Sequence, residues 1–347
     1  MAEGARPLTA GARIGEGRGR MDRRRALKAA GLGMGALLPP FPLRAQEAWP
    51  ARSVTVVVPF APGSSSDIVA RAMAQRMQAA AGKPVVVENR PGATGEVGTR
   101  TVVRAAADGH TLVHAPISVW AINAALRPNL SYDPTRDLTG ITQTVRTPNV
   151  LVVNPQQVPA SDLRGFVAWM KAQAGKVSYS TSGIGASDHL TAEMFKQRTG
   201  TEASHVPYNG GSPATTDLIS GVVQMSFQNL GSIAPHIRDG RVKPILVTAD
   251  ARSPLLPDVP TAAEAGLDDF VVYSWQAFGG PPNMTPTLKA RVHEAAVAAL
   301  RHPETVQRLA ETGFEVVAGS PDEFAAFQRG EIARWRQVVQ AGRIAPE

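Results

Sequence analysis

Two short stretches of this chain share one design, and that design restricts what the chain can build. Each is a β-rich run, then a loop of small residues, then an amphipathic helix. In the first, Thr55–Phe60 leads through APGSSSD (Ala61–Asp67) to a helix from Ile68. In the second, Val177–Ser180 leads through TSGIGASD (Thr181–Asp188) to a helix from His189. The first N–H groups of a helix have no carbonyl partner inside it, and the helix dipole adds partial positive charge there, so the spot favours an anion. Small side chains let a ligand approach that backbone. Two such loops, one per lobe and facing across a cleft, predict a clamp for a carboxylate. Its donors would be the N–H groups of residues 64–67 and 182–187 and the hydroxyls of Ser65, Ser66, Thr181 and Ser187. Neither loop contains Arg or Lys.

Strand and helix signals alternate along the rest of the chain. The runs Val54–Phe60, Val85–Val87, Thr111–Ala115 and Val150–Val153 are short and rich in β-branched residues, as in buried parallel strands. Helical periodicity lies between them: Ile68, Val69, Ala72, Met73, Met77 and Ala80 share one face, with Gly82 as a stop. Ser161 is expected to cap a helix that ends near Gly175, with Leu163, Phe166, Val167 and Met170 on one side, and Ser320-Pro321-Asp322-Glu323 has a capping-box pattern. This order predicts an α/β protein of two lobes, with ligand at the carboxyl ends of strands. Two extended segments, Pro148–Pro155 and Tyr273–Gly280, are expected to be the crossovers between lobes.

The net charge of +7 suggests a polyanionic partner until its location is considered. Residues 1–45 hold nine basic and three acidic residues, leaving 27 basic and 26 acidic in the remainder. The body is nearly neutral and loses the footprint of a nucleic-acid binder. The basic stretch Met21–Lys28, the apolar run Ala29–Leu38 and the small-residue site at Ala45 read as an export leader, removed after Ala45. Arg23-Arg24-Arg25-Ala26-Leu27-Lys28 resembles a twin-arginine signal but lacks the usual aromatic at Ala26, so a Sec signal stays open. Either route predicts a periplasmic protein.

With no cysteines, disulfides, thiol catalysis and Cys-ligated metals are excluded. Gly183–Asp188 and Gly92–Gly98 approach the dinucleotide fingerprint, but one lacks its third glycine and the other has the wrong spacing. No G-x-S-x-G elbow exists. His110 and His114 have metal-ligand spacing, but across a strand signal, so no metal is expected. No catalytic residue and no cofactor are predicted, and the chain is not expected to be an enzyme. Asp67 and Asp188 keep two readings. Each is either a first-turn helix residue or a ligand group accepting from a hydroxyl or ammonium.

Several strings, in order, resemble one family: VVVPFAPGSSSD (Val56–Asp67), VVVENRPGATGEVG (Val85–Gly98), AADGHTL (Ala106–Leu112), PNVLVVNP (Pro148–Pro155), HVPYNGGSPATTDLISG (His205–Gly221) and RSPLLPDVPTAAEAG (Arg252–Gly266). They are similar to the Bug-type periplasmic receptors of tripartite tricarboxylate transporters, from about Trp49 to Ile344. The resemblance implies a two-lobed type II periplasmic-binding-protein fold, with lobe 1 at 49–150 plus 271–347 and lobe 2 at 151–270. It implies a largely uncharged cleft in which loop N–H groups, hydroxyls and waters hold a small carboxylated ligand. By position, the first-lobe contacts would be Phe60, Ser64, Ser65, Ser66, Asp67 and Ser118. Those of the second lobe would be Thr181, Ser182, Gly183, Ala186, Ser187, Tyr208 and the strand end Phe227-Gln228-Asn229. Membrane permease subunits are the implied partners of a monomer. The alternative is the same fold serving as a ligand sensor for a membrane signalling partner. The chain departs from the family's usual Asp at Gln228 and usual Lys at Asn209, so ligand identity does not transfer.

Overall fold

The structure, a computed structural model, describes residues 49–345. The expected leader, residues 1–45, lies outside the described residues. In chain order the elements are β1 (Val54–Val58), α1 (Ser65–Ala81), β2 (Val85–Asn89), α2 (Glu96–Val103), β3 (Thr111–Pro116), α3 (Asn123–Leu126) and the long β4 (Thr139–Val153). Next come α4 (Leu163–Ala172), β5 (Ser178–Thr181), α5 (Ser187–Thr199), β6 (Ser204–Pro207), α6 (Gly211–Ser220), β7 (Met225–Asn229), α7 (Leu230–Arg238) and β8 (Lys243–Val247). The chain closes with β9 (Tyr273–Gly280), α8 (Pro286–Leu300), α9 (Pro303–Ala310), β10 (Glu315–Val316) and α10 (Pro321–Gly342).

Two sheets share β4. In the first, β2, β1 and β3 are parallel, and β9 runs antiparallel between β3 and the Thr139–Pro148 part of β4. In the second, Asn149–Val153 of β4 runs antiparallel to β7 and β8, while β5 lies parallel between β7 and β6. Helices cover both faces of each sheet, as near-continuous apolar strands require. On the first sheet, α1 and α8 bury Met73, Val292 and Ala296 on one face, and α10 buries Phe324 and Trp335 on the other. On the second, Phe166 of α4 and Phe195 of α5 pack on one face, and Leu218 of α6 and Ile233 of α7 on the other.

The chain first passes between sheets inside β4, at Pro148–Asn149. Tyr273–Gly280 is β9, which stays within the first sheet, so the return is made one residue earlier, at Val272. Thr248 ties the two passages together. Its N–H donates to the Asn149 carbonyl at 2.9 Å, its Oγ1 accepts the Asn149 N–H at 2.9 Å, and its own carbonyl accepts the Val272 N–H at 2.9 Å.

Local signals place most helix starts, with informative shifts. The capping box at Ser320 and Glu323 forms as expected. The cap of α4 is Asp162, whose Oδ1 accepts the Gly165 N–H at 2.7 Å, in place of the expected Ser161. Helix α1 begins at Ser65 and α5 at Ser187, before the apolar periodicity at Ile68 and His189 begins. Their polar first turns carry no hydrophobic signal. The shift moves Ser65, Ser66 and Ser187 from loop into helix, where their N–H groups have no intrahelical acceptor.

Candidate functional site

Phe60 follows β1, Ser118 follows β3, Ser182 follows β5 and Asn229 ends β7, so the site gathers at carboxyl ends of strands from both sheets. The two lobes meet across it. Ser65 Oγ donates to Asn229 Oδ1 at 3.4 Å, and Thr94 Oγ1 donates to the Ile184 carbonyl at 2.9 Å. Between them lies a cavity.

Of the expected contacts, Phe60, Ser64, Ser65, Ser66 and Ser118 line this cavity from the first lobe, and Ser182, Ala186, Ser187 and Asn229 from the second. Asp67 does not. Its carboxylate accepts the Gly63 N–H at 3.0 Å, Arg71 Nε at 2.9 Å and Asn89 Nδ2 at 2.9 Å. Burial opposes its charge, but the Arg71 guanidinium and these N–H donors outweigh it and hold the carboxyl below its usual range. Thr181 is also behind the wall, with Oγ1 2.7 Å from His205 Nε2. Gly183 and Tyr208 line an adjoining hollow that shares Phe60, Ser182 and Gly210 with the cavity. The Tyr208 hydroxyl is spent on Asp217 Oδ2 at 2.5 Å.

Most loop N–H groups are also spent inside their own loops. Ser64 N–H bonds the Ala61 carbonyl at 3.2 Å, and Asp67 N–H bonds Ser64 Oγ at 3.4 Å. In the second loop Ser182 N–H bonds Asp188 at 2.6 Å, Gly185 N–H bonds His189 Nδ1 at 3.1 Å, and Ala186 N–H bonds the Gly183 carbonyl at 3.1 Å. Of the expected donors, the N–H groups without a bond among the described residues are those of Ser65 and Ser66 in α1, Ser187 in α5 and Ile184, and Ile184 lines the adjoining hollow rather than the cavity. The Ser118 hydroxyl adds to them: it is buried, lines the cavity and has no partner among the described residues.

Two residues that sequence reasoning missed support this wall. Gln276 of β9 lines the cavity and its Oε1 accepts the Ser66 hydroxyl at 2.6 Å. Polar Ser274 and Gln276, alternating within a buried strand, were the available signal. His114 lies fully buried beneath the start of α1, with Nδ1 3.0 Å from the Ser66 carbonyl and Nε2 2.9 Å from Thr144 Oγ1. Burial pushes its pKa down to about 4, so the ring is neutral at pH 7 and supports the backbone rather than the ligand's charge.

Among the described residues no Lys or Arg lines the cavity, and Asp188 is the one ionisable side chain that does. It is 3% exposed. Burial pushes its pKa up to about 6 against the pull of the Ser182 N–H and hydroxyl and the His189 N–H. The arrangement can bind an anion by helix-terminal N–H groups and hydroxyls, with amides of Gln228, Asn229 and Gln276 for the remaining polar groups.

The family described as "Tripartite tricarboxylate transporter family receptor" matches residues 69–344. Protein BugT of Bordetella pertussis is 35% identical over 295 residues, which are 85% of this chain and 90% of that protein. The structure of R. palustris Rpa4515 with adipate superposes with a TM-score of 0.83 at 32% identity, covering 86% of this chain and 100% of that one. The periplasmic binding protein BugD superposes with a TM-score of 0.81 at 29% identity, over 86% and 100% of the respective chains.

Proposed function

The chain belongs to the tripartite tricarboxylate transporter receptor family, and on that premise we propose that it captures a small carboxylate-bearing solute between its lobes. The observation that carries this reading is the cavity wall. Helix-terminal N–H groups and serine hydroxyls converge from both lobes with no cation among them, which is the chemistry of an anion held by dipoles rather than by an ion pair. The neighbouring fold that holds adipate supports it. In this reading residues 1–45 direct export and are removed, and the mature chain acts as a periplasmic monomer. It delivers its solute to the membrane permease subunits of a tripartite transporter. Its role is binding, not catalysis.

Thermal unfolding across a panel of mono-, di- and tricarboxylates, amino acids and aromatic acids tests this. A ligand that binds only the folded state stabilises it by about 2.7 kcal/mol at a hundred times its Kd. At least one acid should raise the Tm, and its uncharged amide should not. A flat panel at millimolar concentrations would overturn the reading.

Capture also needs closure, because each lobe supplies only part of the donor set. The proposed moving bodies are the two lobes on either side of these passages, 49–148 with 272–345 and 149–271, turning about Asn149, Thr248 and Val272. A ligand that bonds both lobes favours the closed state by its differential affinity. Small-angle scattering should show a smaller radius of gyration with the bound acid than without it. An unchanged radius at saturation would contradict a hinge.

A further inference from the structure

We propose that the cleft captures its carboxylate together with one proton, taken from solvent by Asp188, which then meets the ligand as a carboxylic acid and donates a hydrogen bond to it. The inference rests on the cleft being a carboxylate site.

The two lobes treat the same loop design differently. In the first, Asp67 is turned away from the cavity and neutralised by Arg71 four residues on, with Asn89 on its other oxygen. In the second, the residue four positions after Asp188 is Ala192, which has no charge to offer. Asp188 keeps only neutral donors: Ser182 N–H at 2.6 Å and His189 N–H at 2.9 Å. Asp188 is thus a buried residue of the cavity wall whose hydrogen-bond partners are neutral.

Among the described residues no Lys or Arg lines the cavity beside it. On its own helix, His189 accepts the Gly185 N–H at Nδ1, and burial holds its pKa at about 4, so it is neutral at pH 7. His205 of β6 stacks on that ring at 4.1 Å and meets Thr181 Oγ1 through Nε2. Further along α5, Glu193 and Lys196 pair with each other at 2.7 Å. From α6, Asp217 is bonded to Tyr208. From α1, Asp67 is paired with Arg71, and β7 and β9 present the uncharged Gln228, Asn229 and Gln276. From α10, Trp335 joins the apolar cluster that buries Leu190 of α5.

An anionic ligand entering this cavity would stand beside a second, buried carboxylate, and like charges raise the cost of both remaining ionised. Asp188 is already easy to protonate, with a pKa pushed up to about 6 by burial. One proton on one of its oxygens removes the repulsion and adds a donor. No other bond forms or breaks, and the proton comes from bulk water or buffer. Affinity should then be highest in mildly acidic medium.

The test is calorimetry with adipate and the other panel acids between pH 6.5 and 8.5, where ordinary carboxylic acids stay ionised. Titration at pH 7.5 in two buffers of different ionisation enthalpy should reveal uptake of close to one proton per ligand. Wild-type affinity should fall about tenfold per pH unit over this range. The Asp188→Asn variant, a mimic of the protonated acid, should bind about tenfold or more tightly than wild type at pH 7.5. It should also take up no proton and show a flat profile. Wild-type binding without proton uptake, or an Asp188→Asn variant with unchanged pH dependence, would overturn the proposal.

A ligand-free measurement separates this from failure of the proposed function. A carboxyl whose folded pKa is raised contributes stability at low pH that is lost as pH rises through the folded value. Asp188→Asn should therefore gain melting temperature relative to wild type between pH 5 and 7. If no acid binds, the functional reading falls. A constant melting difference across that range would sink the titration of Asp188 by itself.

Discussion

Replacing Ser187 by proline is expected to leave α5 folded and to weaken carboxylate binding about tenfold to a hundredfold. Ser187 is the first residue of α5, so its N–H has no acceptor within the helix and proline is tolerated there. The preceding Ala186 has φ −77° and ψ 163°, the extended conformation that a residue before proline requires. The substitution thus deletes one outward-pointing donor with little local strain. A hydrogen bond to a charged acceptor contributes roughly 1.5–3 kcal/mol, which sets the size of the loss. Ser65→Pro is the matching change in the first lobe, since Ser65 opens α1 and Ser64 is extended at φ −67° and ψ 160°. Serine-to-alanine changes at both positions separate the hydroxyl from the N–H and should lose less. Calorimetry with the panel acid that gives the largest melting shift, alongside a circular-dichroism melt, reads the result. Intact folding with affinity within a factor of two of wild type in both proline variants would remove the clamp. The loops would then be ordinary helix starts.

The second large effect is on stability. Glu331 of α10 is buried, and its Oε2 accepts the indole N–H of Trp275 at 2.8 Å and of Trp335 at 3.1 Å. Both indoles are almost fully buried. Glu331→Ala would leave two buried donors unpaired, at a cost of about 1–3 kcal/mol each. The expected loss is about 2–5 kcal/mol, read by urea unfolding. Glu331→Gln keeps an acceptor oxygen and should retain most of the stability. Ligand affinity should be unchanged in both, because Glu331 lies outside the cavity. A loss under about 1 kcal/mol in the alanine variant would mean that water satisfies the indoles.

Part of the cavity wall was legible in the two strand–loop–helix units. Of the residues they named, Ser64, Ser65, Ser66, Ser182, Ala186 and Ser187 line the cavity, whereas Asp67, Thr181 and Gly183 do not. They were legible because a small-residue loop feeding a helix is a local arrangement, set by a dozen consecutive residues. Within those loops the sequence overcounted the donors. Whether an N–H faces a ligand or a neighbour depends on turn geometry, and Gly185, with φ +75°, turns its N–H to His189. The first turns of α1 and α5 were misplaced because Ser65-Ser66-Asp67 and Ser187-Asp188 carry no apolar periodicity.

By itself the sequence determined the alternation of strands and helices, the capping box at Ser320, the two small-residue loops that feed helices and the family. Each of these is written in adjacent residues or in ordered strings of them. Only the tertiary structure decided that one strand, β4, serves both sheets and that Thr248 joins the two passages between them. It alone brought Gln276 to Ser66, 210 residues away, and decided which of two similar aspartates lines the cavity. Asp67 is held away from the cavity partly by Asn89 of β2, whereas Asp188 meets only neutral donors. Periodicity and propensity act over one or two turns of chain. The charge balance of a cleft is set by whichever distant segments packing brings within hydrogen-bond reach.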